Sequence, residues 1–447
     1  MNRLLVVLAL ATPAAFADGP PRPLTERDLK AGRAVYLREC AACHGERGDG
    51  SGAGAAFIDP KPRNFTKKMF KLRTTPSGEA PATSDILRTI ERGIPGTAMP
   101  SFSFLSEEER RQVAAVVLEF ADMLDAPEPT PIKDPGSPPE MNAATVAKGK
   151  QVYEALGCAA CHGAGGKGDG PSAKTLADDD GVPIKVRDFT AGTYRGGAER
   201  KDLYYRFTTG LDGTPMPAFA DASEADRWAL VDFIKSLEVK PTPHPVPADP
   251  IQAGRALAAK YSCRACHLLD DGKGGNAGPD LRVSGQKLDS NWVSAFVQAP
   301  REKGKVYPWR VARMPHLGLS AEEGQVAASY LAAMGKRKPG PVTRPDPGSF
   351  VKAKVDEGQL IFMLRCTECH NLGHVIEIPA VKQQGPDLIN VVDRVDYGFA
   401  RKWILDPKKV DPNTKMTVPG ITQEQADAVR MFVWKTSMEA KGKLAAR

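Results

Sequence analysis

Four pentapeptides of the form Cys-x-x-Cys-His constrain what this chain can fold into: Cys40 to His44, Cys158 to His162, Cys263 to His267 and Cys366 to His370. They use all 8 cysteines and four of the 7 histidines. A chain of this composition would carry roughly 0.002 such motifs by chance. Their first cysteines lie 118, 105 and 103 residues apart, so the chain reads as four tandem modules.

Each module opens on an amphipathic stretch with a glycine eight or nine residues before the first cysteine: Gly32, Gly149, Gly254 and Gly358. Each closes on a segment that begins with Ser or Thr and acidic residues, the signature of a capped helix: 106–124, 223–237, 320–334 and 422–436. These closing helices carry Phe120, Phe233, Tyr330 and Phe432, and a glycine facing an aromatic ring predicts a close helix crossing. The modules are placed at residues 24–125, 141–239, 251–335 and 351–440. Proline-rich linkers join them at 126–140, 240–250 and 336–350. Proline favours extended spacers, so the linkers are expected to hold the modules apart yet near one another.

The only long apolar run lies at the start. Arg3, an apolar stretch from Leu4 and the small-residue pattern Ala15-Phe16-Ala17 read as a cleavable export signal over residues 1–17. That run is too short to span a bilayer, and export places the mature chain in the periplasm. In an exported protein an even cysteine count first suggests disulfides, and Cys-x-x-Cys units also hold zinc. Neither reading accounts for a histidine at the same place four times. A helix bearing Cys-x-x-Cys-His sets two thiols to form thioethers with the vinyl groups of a haem, while the imidazole reaches the iron. The motifs therefore predict four covalently bound haem c groups on Cys40, Cys43, Cys158, Cys161, Cys263, Cys266, Cys366 and Cys369. The axial ligands on one face are His44, His162, His267 and His370.

The three other histidines, His244, His316 and His374, cannot supply a sixth ligand to four irons. Met99, Met216, Met314 and Met416 stand in loop sequence before the closing helices, 55, 54, 47 and 46 residues after the proximal histidine. That repeated offset makes them the candidate thioether ligands. His316, two residues after Met314, is an alternative for the third iron. His374 and His244 receive no role. Met123, Met334, Met363, Met431 and Met438 read as core filling within helices, and Met69 is ambiguous.

The modules fall into two pairs. The first two share Arg63-Asn64-Phe65-Thr66 and Arg187-Asp188-Phe189-Thr190; the last two share Gly-Pro-Asp-Leu at 278–281 and 385–388 and a tryptophan further on, Trp292 and Trp403. Each module resembles a class I, mitochondrial-type cytochrome c domain. The resemblance covers nearly the whole mature chain and is closest in the second pair. It implies an all-α fold of four tandem class I cytochrome c-like domains. It further implies that Pro279 and Pro386 offer their carbonyl region to the proximal histidine and that Trp292 and Trp403 lie near a haem propionate. The first pair lacks Gly-Pro-Asp-Leu, which leaves its histidine acceptor open. Arg63 and Arg187 recur at the same place and are candidate propionate partners, with a solvated surface as the alternative.

Two axial protein ligands leave no place for a substrate on the iron, so one-electron relay is the expected function, without a catalytic residue. No nucleotide-binding glycine fingerprint follows a strand, and HExxH and G-x-S-x-G are absent. The net charge of +7 is mild, is offset by haem propionates, and predicts neither nucleic acid nor a membrane surface as partner. The expected partners are redox proteins, a quinol-oxidising complex or dehydrogenase as donor and an oxidase or other acceptor. Two alternatives stand beside the carrier: a haem enzyme of peroxidase or sulfur-compound oxidase type with one open haem, and the cytochrome subunit of a larger dehydrogenase or oxidase complex.

Overall fold

The computed structural model describes residues 26–239, 248–275, 277–300, 314–315, 317–378, 385–414 and 416–442. The expected export signal, His244 and His316 lie outside the described residues. The fold is all-α, with no strand among the described residues.

Each module is built on an opening helix crossed by a closing helix. The opening helices are Glu26–Glu39, Ala143–Ala155, Pro250–Lys260 and Lys352–Arg365; the closing ones are Glu107–Phe120, Glu224–Ser236, Ala321–Met334 and Gln423–Ala440. Ser106, Ser223, Ser320 and Thr422 cap the closing helices, each hydroxyl accepting the backbone N–H three residues on, at 3.0 to 3.3 Å. The first closing helix stops at Phe120, short of residue 124, because Asp122 takes a left-handed conformation. The last continues past residue 436 because Ser437 and Met438 are still buried against its module.

The glycines sit at the crossings. A Cβ at Gly149 would overlap the Ala229 carbonyl and stand 2.8 Å from Phe233, one at Gly358 would overlap the Ala428 carbonyl and stand 3.0 Å from Phe432, and one at Gly254 would overlap the Tyr330 ring. Gly32 differs: it meets the Gln112 carbonyl and Val116, a turn before Phe120, and Phe120 packs instead on Tyr36 at 5.1 Å between ring centroids. Around these crossings lie separate hydrophobic clusters, centred on Tyr36 and Val116, on Tyr153 and Leu230, and on Phe362 and Phe432. In the third module the described core residues form two groups, around Leu269 and Val293. Met363 is not core filling; it lies about half exposed beside Leu360 and Leu364 on the outer face of its helix.

The first and third proline-rich linkers are straps rather than spacers, and most of the second lies outside the described residues. Glu128 accepts the Thr83 N–H and hydroxyl, each at 2.7 Å, Ile132 donates to the Thr74 carbonyl, and Lys201 of the second module pairs with Asp134 at 2.6 Å. The third linker is held from both sides: Val342 donates to Asp289 at 3.2 Å and Thr343 donates to Asp396 at 2.9 Å. An extended chain leaves its amides unpaired, so it hydrogen-bonds to whichever surface it crosses.

The candidate haem-binding sites

Each Cys-x-x-Cys-His motif forms one tight turn, with the histidine N–H bonded to the carbonyl of the first cysteine at 2.9 to 3.0 Å in all four modules. The eight thiols are unpaired. Burial pushes thiols of every motif up, to about 12 at Cys40 and about 11 at Cys158, Cys263 and Cys366, so they stay protonated. Among the described residues no group of three or more His, Cys, Asp or Glu gathers as a metal-ion site would require.

The imidazoles share one arrangement. Nδ1 lies 2.9 Å from the Arg63 carbonyl oxygen in His44, 3.1 Å from that of Arg187 in His162, 2.8 Å from that of Pro279 in His267 and 2.8 Å from that of Pro386 in His370. A carbonyl only accepts, so Nδ1 carries the proton and Nε2 keeps its lone pair for a ligand. Burial holds all four rings below the usual histidine range, in the neutral form that binds iron.

The two pairs reach this arrangement differently. In the first pair the ring stacks on an aromatic neighbour, His44 on Phe65 at 4.6 Å and His162 on Phe189 at 4.3 Å. In the second pair it lies against a glycine, and a Cβ at Gly278 or Gly385 would overlap the imidazole. The acceptor left open by the sequence is thus the backbone of Arg63 and Arg187, the two residues singled out for their side chains. Tyr36 and Tyr153 add a bond the sequence reading missed: each hydroxyl donates to the carbonyl of the glycine after the motif, Gly45 at 2.8 Å and Gly163 at 2.6 Å.

His44, His162 and His267 face a continuous cavity of about 2250 Å³, also lined by Met99, Met216 and Met314. Pockets for small ligands hold roughly 300 to 1,000 Å³, so the space is of the right order for several large flat groups rather than one. The methionines stand on stiff loops. Thr97, Thr214 and Thr414 each accept the N–H of the methionine two residues on, at 3.2, 3.3 and 3.2 Å. Thr97 and Thr214 also donate to Ile94 and Leu211 carbonyls at 2.7 Å. The sequence carried this signal as Thr-x-Met three times, a pattern visible only once the methionines are singled out.

Arg63 and Arg187 line the cavity, and each has a cationic neighbour there: Lys71 beside Arg63 and Arg195 beside Arg187, at equivalent places in the two modules. Burial pushes all four pKa values down, and in Lys71 and Arg195 the neighbouring arginine adds to the effect. The Arg195 Nε is buried without a hydrogen-bond partner. Two half-buried cation pairs facing a cavity, with Asp178 3.9 Å from Lys71, fit an anionic group such as a haem carboxylate. Lys71 and Arg195 are the residues the sequence reading overlooked.

The tryptophans are not counterparts. Trp292 stands three residues after its helix cap Asp289, whereas Trp403 stands seven after Asp396. Position for position, Trp292 matches Phe399 and Phe296 matches Trp403, as stacked pairs at 4.7 and 6.0 Å. Two turns of one face interchange because residues four apart lie in line on a helix. Trp292 lines the cavity, and Trp403 lies under Lys287 at 4.1 Å. Met69 lies against Gly213, and Gly373 turns the chain at a φ of 59°, leaving His374 exposed.

The cytochrome c family model matches residues 29–119, 146–238 and 251–335, more than half of the chain. Cytochrome c oxidase subunit 2 of Alkalihalophilus pseudofirmus is 33% identical over 93 residues, 21% of this chain and 25% of that protein. The cbb3-type cytochrome c oxidase subunit CcoP of an Azospirillum species is 27% identical over 208 residues, 43% of this chain and 56% of that protein. Cytochrome c of Ginkgo biloba is 27% identical over 104 residues, 18% of this chain and 88% of that protein. The chain thus spans between a quarter and about half of the length of these oxidase subunits. Among solved structures, a chain of the Kuenenia stuttgartiensis reducing HAO-like protein complex is 46% identical, with a TM-score of 0.46, over 49% of this chain and 99% of that one.

Proposed function

Because the chain belongs to the cytochrome c family, we propose that it is an exported tetrahaem carrier that relays single electrons between respiratory donor and acceptor proteins. One observation carries this reading: the same imidazole-to-carbonyl bond recurs in all four modules, including the fourth, which lies beyond the matched segments. When bound, haem iron supplies one-electron exchange between its ferrous and ferric states. The residues of this chain do the rest. Cys40, Cys43 and their counterparts would anchor the group, His44, His162, His267 and His370 would present Nε2 to its iron, and Met99, Met216, Met314 and Met416 would supply thioether ligands. Two axial protein ligands favour relay over catalysis, and the soft thioether favours the ferrous state. The cavity that encloses the first three sites would limit the reorganisation that accompanies a change of charge there.

The test is a potentiometric titration of the purified holoprotein, following haem absorbance together with the ferric methionine-ligation band. Four haem equivalents, all with that band and at high potential, are the expected result. A low-potential centre without the band overturns the uniform relay and directs attention to that module as an open haem.

A second reading is favoured by the relatives that are named oxidase subunits: the chain serves as the cytochrome subunit of a larger respiratory complex. No helix among the described residues is long and apolar enough to cross a membrane. Purification of the untagged protein from its source separates the readings. A stable stoichiometric assembly supports the subunit, and a monomer supports the free carrier.

A further inference from the structure

Among the described residues, the contacts between modules do not follow the order in which the chain visits them. Between the first and the third, the haem-attachment motifs themselves meet. The Gly54 N–H donates to the carbonyl of Ala42, the residue before Cys43, at 2.8 Å. On its other side, a Cβ at Gly54 would stand 2.5 Å from the carbonyl oxygen of Ala265, the residue before Cys266. One glycine is thus wedged between two motifs, and only the absence of a side chain allows the approach. The short helix Ala55–Phe57 that follows Gly54 packs against the turn Cys263–Ala265 of the third motif.

The first and second modules meet through their methionine loops. Gly213, three residues before Met216, is covered by the Met69 thioether, and Gly96, three residues before Met99, lies against Thr193. Met69 and Thr193 hold equivalent places, so the contact repeats about a local two-fold axis. Arg206 of the second module locks it, donating to the carbonyls of Lys71 at 3.0 Å and of Arg73.

The third and fourth modules meet through a second local two-fold. Asp289 donates its N–H to the Arg394 carbonyl at 2.9 Å, and Asp396 donates to that of Lys287 at 2.8 Å. Leu288 of this contact lines the cavity that holds His267, and Arg394 bonds the Asp387 carbonyl beside Pro386, the acceptor for His370.

We infer that the haem sites are wired in the spatial order second, first, third, fourth, with the first module standing between the second and the third. The inference rests on the reading that all four motifs carry haem. Each thioether would set a porphyrin edge two bonds from its sulfur, so the meeting of the first and third motifs at Gly54 would bring two such edges together, and tunnelling rates fall steeply with edge separation. One electron leaves one iron as it reduces the next, with no bond made or broken. A one-electron redox protein at each end of the series supplies and removes it.

The oxidised holoprotein provides the test, because each low-spin ferric centre is paramagnetic and close neighbours broaden one another's EPR lines. Cys40→Ala with Cys43→Ala removes the first haem; Cys158→Ala with Cys161→Ala removes the second. Loss of the first is expected to sharpen the signals of both the second and the third, whereas loss of the second sharpens only the first. A third-module signal that ignores loss of the first haem, or sharpens on loss of the second, overturns the order. Since a module stripped of haem can unfold, Gly54→Trp gives an independent arm that keeps every attachment residue. It should retain four haems while weakening the broadening between the first and third, and unchanged broadening would overturn the order. Fewer than four haem equivalents in the parent protein would instead overturn the tetrahaem reading beneath it.

Discussion

Asp289 and Asp396 each cap a helix of their own module and each lend a backbone N–H to the other module, at 2.9 and 2.8 Å. One side chain thereby fixes a helix start while its backbone fixes the seam between the third and fourth modules. The carboxylates also hold the strap between those modules, Asp289 through Val342 and Asp396 through Thr343.

Replacing either aspartate by alanine is therefore expected to cost about 1 to 2 kcal/mol, the range for a lost helix cap. The double variant should cost less than the sum, because both act on one strap. Thermal melts of the two single variants and the double variant check this, and strict additivity would show that the seam does not couple them.

Gly149→Ala should destabilise the second module by about 1 to 3 kcal/mol, since the new methyl overlaps the Ala229 carbonyl in a packed crossing. Gly165→Ala, with nothing within 4 Å of the added atom, should change stability by less than about 0.5 kcal/mol. Denaturant midpoints of the two variants provide the comparison.

Met99→Ala should remove one methionine-ligation equivalent and lower one haem potential by on the order of 0.1 V, within the ~0.8 V range that axial ligation spans. Thr97→Val keeps the ligand but loses the acceptor for the Met99 N–H. It should leave the band in place while making the methionine easier to displace by added imidazole. Equal resistance to imidazole in the variant and the parent would count against a holding role for Thr97.

Lys71→Gln and Arg195→Gln each remove one member of a half-buried cation pair facing the cavity. Loss of a nearby positive charge favours the ferric state, so each should lower one haem potential by on the order of tens of millivolts. Potentiometric titration of each variant measures the shift, and an upward shift would contradict the assignment.

Asp202 gives a pH dependence with a definite sign. Burial at the seam of the first two modules raises its pKa despite Arg92 at 3.3 Å. The folded state thus holds this proton at pH values where the unfolded chain has released it, so the site loses stability as pH rises out of the ordinary carboxylate range. Asp202→Asn should melt higher than the parent at pH 7, with the difference disappearing near pH 3.5. A difference that persists in acid would point to packing rather than charge.

Much of the local chemistry is written in short segments of chain. The four attachment motifs, the caps Ser106, Ser223, Ser320 and Thr422 and the crossing glycines are read within a few residues, because a turn or a cap is satisfied by near neighbours. The resemblance to class I cytochromes c pointed to Pro279 and Pro386 for the same kind of reason, a short Gly-Pro-Asp-Leu segment.

What the sequence could not decide depends on which distant surfaces meet. Arg63 and Arg187 drew attention as charged side chains, yet it is their carbonyls that hold His44 and His162, and a carbonyl belongs to every residue type. The cation pairs of Arg63 with Lys71 and Arg187 with Arg195 emerge only when loops fold back over a cavity. The contact of Gly54 with Ala265 joins positions more than 200 residues apart along the chain. By itself the sequence determined the local turn, cap and attachment motif of each module; the tertiary structure decided which modules are neighbours, because module packing depends on whole surfaces and leaves no periodic trace in the residues that form it.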